Sequence, residues 1–413
     1  MQKGLRNSGA FLKQNRKTLE AILFVCSAAY CFQDTITSQV VVGAAWILRA
    51  AIQWLTDIKA HHRNQHTEDC IFALKIFFVP QLAVHLYTML LILFGVTSPE
   101  VLTTNIVSYT ATLVVIAAIY LFEKKAVELV FWSLVLSWFY CLIKSVAAYG
   151  FGIIPDAIAQ GWFGISVGHE NYLELDAVVL SVGYYLVWYL FSRKETKIKS
   201  LPLAILMTIV FLIGVKRIVI VAILVLVLSY LIISKMDEAR AYKTGIIAGW
   251  LAIAVCVAYI FVLSLGDAFY EVLDRFGIDT MARNYFYKHM MSLTEFSPTF
   301  LGYGSGSVKL EMLRMFEPYT YVHSDIIKMF FEIGFIPFLG WLYFNLVCLP
   351  YCFKRRYGKS SAIFYLLTAA YTFVLFLTDN TESYFVCIII RCIMPMGYAL
   401  ATKEMEGNCI RKL

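Results

Sequence analysis

LPLAILMTIVFLIGVKRIVIVAILVLVLSYLIIS, residues 201–234, carries no charge except the adjacent pair Lys216 and Arg217. A cation at the centre of a membrane helix costs about 2.5–3.5 kcal/mol, so two neighbours in the most apolar part of a chain must reach water or hold something. As one helix the stretch would run roughly 50 Å at 1.5 Å per residue, well beyond a hydrocarbon core of about 30 Å. Its length predicts two short helices, 200–215 and 218–234, joined at the cationic pair.

The rest of the chain is built the same way. Of 413 residues, 60% are hydrophobic and only 15% charged, and the mean hydropathy is +0.71. A soluble domain has no interior large enough for that much apolar surface. Continuous apolar runs, rather than ten-residue alternations, argue for an all-α polytopic membrane protein and against a β-barrel. About twelve spans are expected, at 19–33, 36–56, 71–95, 101–122, 127–149, 172–192, 200–215, 218–234, 244–266, 324–350, 361–378 and 383–402. The basic amino-terminal stretch leads into the first span without a small-residue cleavage site.

Charge asymmetry orients these spans. With the amino terminus inside, the inner segments hold 23 Lys and Arg, whereas the short outer loops near 34, 96–100, 150–171 and 379–382 hold none. Fusing 201–234 into one span would destroy that pattern, so both ends are placed inside and GVKRIV becomes an outer hairpin tip. Two readings of the tip stand: a snorkelling pair that ends two helices, or cations in a water-admitting funnel. The ten cysteines lie mostly in apolar spans and read as free thiols. His61, His62 and His66 read as a solvated loop.

The single long polar segment, 267–322, falls outside between the ninth and tenth spans and holds Arg275, Arg283, Lys288, Lys309 and Arg314. With Lys216 and Arg217 these cations gather in two places, which suits one anionic ligand. AFYEVLDRF (268–276) and MARNYFYKHMMSL (281–293) read as short amphipathic helices on the membrane surface. SPTFLGYGSGS (297–307) reads as a turn or a phosphate cradle. His323 precedes Ser324 and Asp325, two helix-start residues. Beside a helix amino terminus its imidazole is held neutral and can serve as a base, or it can simply hydrogen-bond the loop. Arg49 and Lys75 are expected to snorkel inward. Lys144 and Lys328 sit near outer span ends, where they either snorkel or line the funnel. Arg391 is deeper and requires a carbonyl or carboxylate partner. Asp267, Asp274 and Asp279 read as solvated loop charges.

Four stretches together resemble the O-antigen ligase and O-antigen/capsule polymerase superfamily, whose fold is called GT-C. GVKRIVIVA is similar to the family's arginine at the start of a mid-chain span, with Lys216 where a small polar residue is usual. FGIDTMARNYFYKHMMSL resembles the outer-loop arginine with its aromatic helix, and FLGYGSGS the glycine turn. VHSDIIKMFFEIGFIPFLGW resembles the family's histidine start, matching His323, Glu332 and Gly334. GISVGHENYLELDAVVL adds a weaker likeness at Asn171. The resemblance implies a metal-independent, cofactor-free glycosyl transfer from undecaprenyl-diphosphate-linked oligosaccharide in a bacterial cytoplasmic membrane, with the site facing outward. It also implies a chain-length regulator protein as a partner besides the lipid bilayer, and no nucleic acid. Arg217 and Arg283 would neutralise the diphosphate, Lys216 and Arg314 assist, and His323 deprotonate or orient the acceptor hydroxyl. Asn171, Lys328 and Lys144 are further substrate-binding candidates. The sequence lacks a DxD-type acidic pair on the outer side near these residues. Polymerase is the first reading, ligation to a lipid A core the second, and a flippase for the same lipid the third; no internal repeat of the transporter kind is visible.

Overall fold

The structure is a computed structural model that describes residues 2–32, 36–59, 67–164, 173, 175–195, 200–266, 271, 275 and 283–410. Every regular element in it is helical. The elements that matter here are α1 (Gln2–Cys31), α2 (Ile36–Lys59), α3 (Thr67–Leu93), α4 (Pro99–Phe122), α5 (Lys125–Tyr149), α6 (Ile153–Phe163), α7 (Val182–Glu195), α8 (Leu201–Ile213), α9 (Arg217–Ile233) and α10 (Glu238–Ser264). They are followed by α11 (Arg283–Ser292), α12 (Ser307–Phe316), α13 (Asp325–Ile333), α14 (Phe335–Tyr357), α15 (Lys359–Phe376) and α16 (Phe385–Ile410).

Eight of the described helices are long and apolar enough to cross a membrane. The apolar parts of α7, α8 and α9 are shorter. Leu224, Leu228 and Leu251 stand more than half exposed on α9 and α10, an arrangement that only lipid makes cheap. The chain is a multi-pass helical membrane protein. The division of 201–234 holds: α8 stops at Ile213, α9 starts at Arg217, and Lys216 is the extended residue that caps α9. Gly214 sits in that link because a Cβ there would meet the Leu173 carbonyl oxygen at 2.5 Å.

The centre of the bundle lies late in the chain. The apolar window of α15 is 78% buried and that of α16 is 94% buried, against 17% for α2 and α3. α16 packs on α4, α5, α7 and α15, and α15 packs on α9, α10 and α14. Arg356 and Lys403 meet the fully buried Asp69 at 2.9 Å and 3.1 Å, and the Tyr357 hydroxyl donates to the same carboxylate at 2.7 Å. This cluster ties the start of α3, the end of α14 and the last apolar turns of α16 together. Arg49, expected to snorkel, pairs with Glu20 of α1 at 2.7 Å. The described cysteines are free thiols.

One expectation is corrected. The stretch 324–350 is not one span: Gly334, at φ 75°, breaks it into α13 and α14, and the long apolar helix runs over Phe335–Tyr357. The reason lies in the glycine turn before it. Gly304 N–H donates to the Glu332 carbonyl at 2.7 Å and Phe335 N–H to the Phe300 carbonyl at 2.9 Å. The two backbones touch so closely that a Cβ on Gly334 would lie 2.3 Å from the Leu301 carbonyl carbon. FLGYGSGS is therefore a structural turn, and Gly306 N–H is taken by the Glu332 carboxylate at 2.9 Å rather than left for a phosphate.

Within 267–322, residues 268–276 fall almost wholly outside the described residues. α11 forms as expected; it packs on α10 and α13 and buries Phe286, Met290 and Met291 against them. α12 follows the glycine turn directly, starting at Ser307.

α3 and α14 each carry a mid-span proline preceded by a π turn, whereas α16 accommodates Pro395 without one. Val79 N–H bonds Leu74 O just before Pro80, and Leu349 N–H bonds Phe344 O just before Pro350. Proline has no N–H for the carbonyl four residues back and crowds it, and one extra residue in the turn relieves that conflict.

Candidate functional site

The segment TDNTES, 378–383, joins α15 to α16. Cations and an imidazole from several helices converge on it. Lys216 Nζ lies 3.2 Å from Asp379 Oδ2, with side-chain exposures of 12% and 1%. The other Asp379 oxygen accepts the N–H of Asn380 at 2.8 Å, and the Asp379 carbonyl accepts that of Asp325 at 3.1 Å. Arg283, the first residue of α11, donates from Nη1 to the Thr378 carbonyl at 3.0 Å. Lys328 donates to the Ser383 hydroxyl at 3.0 Å. The Asp325 carboxylate takes the Thr381 hydroxyl at 3.1 Å and the Glu382 N–H at 2.9 Å. Arg391 grips Glu382 with both terminal nitrogens, one of them at 2.9 Å. It thereby finds the carboxylate it needs, and its guanidinium also lies over the Phe376 ring.

His323 is held to the same segment. Its N–H donates to Asn380 Oδ1 at 2.9 Å, and Asn380 Nδ2 faces its ring Nδ1 at 3.2 Å. The first bond fixes which end of the amide carries oxygen. The second must then run from the amide to Nδ1, so Nδ1 accepts and the proton of the neutral ring sits on Nε2. The Tyr287 hydroxyl donates to the His323 carbonyl at 2.8 Å. Ser324 caps α13 by accepting the Ile327 N–H at 3.3 Å, so the imidazole stands just before a helix amino terminus. His323 also has φ 57°, a left-handed conformation that costs a non-glycine residue of order 1 kcal/mol. Three hydrogen bonds hold it there.

The structure thus brings Lys216, Arg283, His323 and Lys328 onto one six-residue segment. Arg217 is exposed at the first turn of α9 and faces Gly164, whose Cβ would lie 3.8 Å from its guanidinium. Arg314 is exposed and pairs with Glu311 at 2.8 Å. His289 meets the same carboxylate oxygen at 2.7 Å. Burial raises the Glu311 carboxyl pKa, but the bonds from Arg314 and His289 outweigh it and hold it below the usual range. Lys144 is exposed on α5. Asn171, with Asp267, Asp274 and Asp279, lies outside the described residues. The sequence reading assigns no role to Asp379, Asn380, Glu382 or Tyr287, although the stretch LTDNTESYF (377–385) that holds the first three counts toward the polymerase resemblance. The signal available was the two acids in a short outer loop that holds no cation.

Two cavities flank the segment. One of about 490 Å³ runs between α3, α13 and α14 and reaches Lys75, Lys328, Glu382 and Arg391; both π turns line it. The other, about 300 Å³, reaches Asn380 and Ser383. Ser108, Lys328 and Glu332 belong to the walls of both. The chain matches no protein-family profile, no curated protein and no solved structure.

Proposed function

We propose that this chain polymerises undecaprenyl-diphosphate-linked oligosaccharide repeat units at the outer leaflet of a bacterial cytoplasmic membrane. The observation that supports this reading best is the convergence of Lys216, Arg283 and His323 on 378–383 at one end of the helical bundle. An acceptor sugar hydroxyl attacks the anomeric carbon of the donor. The carbon–oxygen bond to the diphosphate breaks, the lipid diphosphate leaves with the electron pair, and the hydroxyl proton passes to it. Negative charge grows on the leaving group, and cations fixed beforehand in a partly dry site stabilise that charge more in the transition state than in the ground state. Lys216 and Arg283 fill that role, with Arg217 exposed beside them at the start of α9.

The tautomer of His323 refines its part. With Nδ1 occupied by Asn380, the ring offers an Nε2–H donor rather than a free base. It orients the acceptor hydroxyl or the departing oxygen by donating a hydrogen bond. Reconstitution of the purified protein with a synthetic lipid-diphosphate repeat unit tests the proposal: a ladder of products supports it. Transfer only to a lipid A core acceptor would make the chain a ligase, and no transfer to either would refute glycosyl transfer.

A further inference from the structure

The 300 Å³ cavity beside Asn380 has walls unlike those of its larger neighbour. Three polar side chains face it without an internal partner. The Ser108 hydroxyl on α4, the Lys309 ammonium on α12 and the Thr320 hydroxyl are neither hydrogen-bonded nor ion-paired to another described residue. All three are only partly exposed. None of the three atoms is among the buried unpartnered ones, so each keeps hydrogen-bonding capacity that a polar ligand entering the void can use.

The charges of the wall say which ligand. Lys328, Lys309 and Glu332 are its ionisable residues besides Tyr321, leaving a formal charge of +1. The Glu332 carboxylate is taken by Gly306 N–H and lies near Lys328 on the same helix face, one turn away. Lys328 is itself engaged with Ser383. Lys309 is the uncompensated cation. Asn380 lies between the cavity and the imidazole, lining the former and hydrogen-bonded to the latter. A ligand here therefore sits one side chain away from His323, on a wall formed by 380 and 383, whereas Lys216 and Arg283 attach at 379 and 378.

Resting on the polymerase reading, we infer that this cavity holds the acceptor saccharide and that Lys309 selects one carrying a single anionic group, a carboxylate or a phosphate substituent. Hydroxyls from Ser108 and Thr320 take the neutral part of the sugar. Lys309 is then a specificity-determining residue for the acceptor and takes no part in neutralising the diphosphate.

The test uses the native lipid-linked repeat unit, isolated from cells that lack this chain, and the same unit after carboxyl reduction or phosphatase treatment. Mass spectrometry is expected to show one anionic substituent, and the treatment that removes it identifies which kind. With the native unit, Lys309→Gln raises the acceptor KM about tenfold or more with little change in kcat, and Lys309→Arg restores it. With the neutralised unit, wild type and Lys309→Gln become alike. A neutral native repeat unit, or a Lys309→Gln protein that makes polymer with unchanged KM, overturns the inference while leaving polymerisation intact. A wild-type protein that makes no polymer refutes the reaction itself, and the inference with it.

Discussion

Removing the charge at Asp379 or at Lys216 has unequal consequences, and the inequality can be worked from their exposures. At 3.2 Å the pair attracts by about 5 kcal/mol at an effective dielectric of about 20. Much of that offsets the desolvation of both groups, but breaking a buried pair leaves the survivor uncompensated, at about 3–5 kcal/mol. Lys216→Met strands a carboxylate that is 1% exposed and cannot reach water. Asp379→Asn strands an ammonium that is 12% exposed on a flexible stem, and it keeps the oxygen that accepts the Asn380 N–H. The lysine variant is expected to lose about 4 kcal/mol and the aspartate variant about 2 kcal/mol. The double variant, with no charge left unpaired, is expected to lose clearly less than their sum. Thermal unfolding in detergent, followed by a thiol-reactive dye that reports exposure of the buried Cys256, Cys387 and Cys392, measures all three. Additive losses, or a larger loss for Asp379→Asn than for Lys216→Met, would refute this account of the pair.

Four further outcomes are expected. His323→Gln keeps an N–H donor near the Nε2 position and retains more turnover than His323→Ala, which falls about 10²–10⁴-fold; equal loss in both, with a bell-shaped pH profile restored by added imidazole, would indicate a base instead. Gly334→Ala misfolds or loses several kcal/mol, because its Cβ meets the 300–301 backbone within 2.5 Å, whereas Gly340→Ala, with nothing within 4 Å of its Cβ, is neutral in the same dye assay. Arg391→Met destabilises by about 3–5 kcal/mol by isolating Glu382, and Glu382→Gln in the same chain recovers part of the loss. The depressed Glu311 carboxyl stabilises the α11–α12 contact above the ordinary carboxylate pKa and loses that contribution as pH falls through its folded value; Glu311→Gln should therefore flatten the acid limb of a stability–pH curve.

The sequence shows the cations plainly because charge in an apolar run is expensive and so needs a reason. It marks Lys216, Arg283, His323 and Lys328, and the structure joins them. It hides what joins them. Asp379, Asn380 and Glu382 occupy a short loop where polar residues look merely solvated. Arg391 needs a carbonyl or carboxylate partner, and Glu382, nine residues earlier, supplies the carboxylate. The break at Gly334 is also concealed, since apolar residues continue on both sides. Only the contact with a glycine turn some thirty residues upstream, a long-range fact, turns one expected span into two helices.

The 378–383 segment and α16 have a consequence for biogenesis. A ribosome makes Lys216, Arg283 and His323 well before the residues that gather them, and most of the bundle before the helix at its heart. Until that helix enters the bilayer, its neighbours α4, α5, α7 and α15 enclose a gap. A nascent chain halted before residue 378 is therefore not a smaller version of this protein: it carries Lys216, Arg283 and His323 without the segment on which they converge.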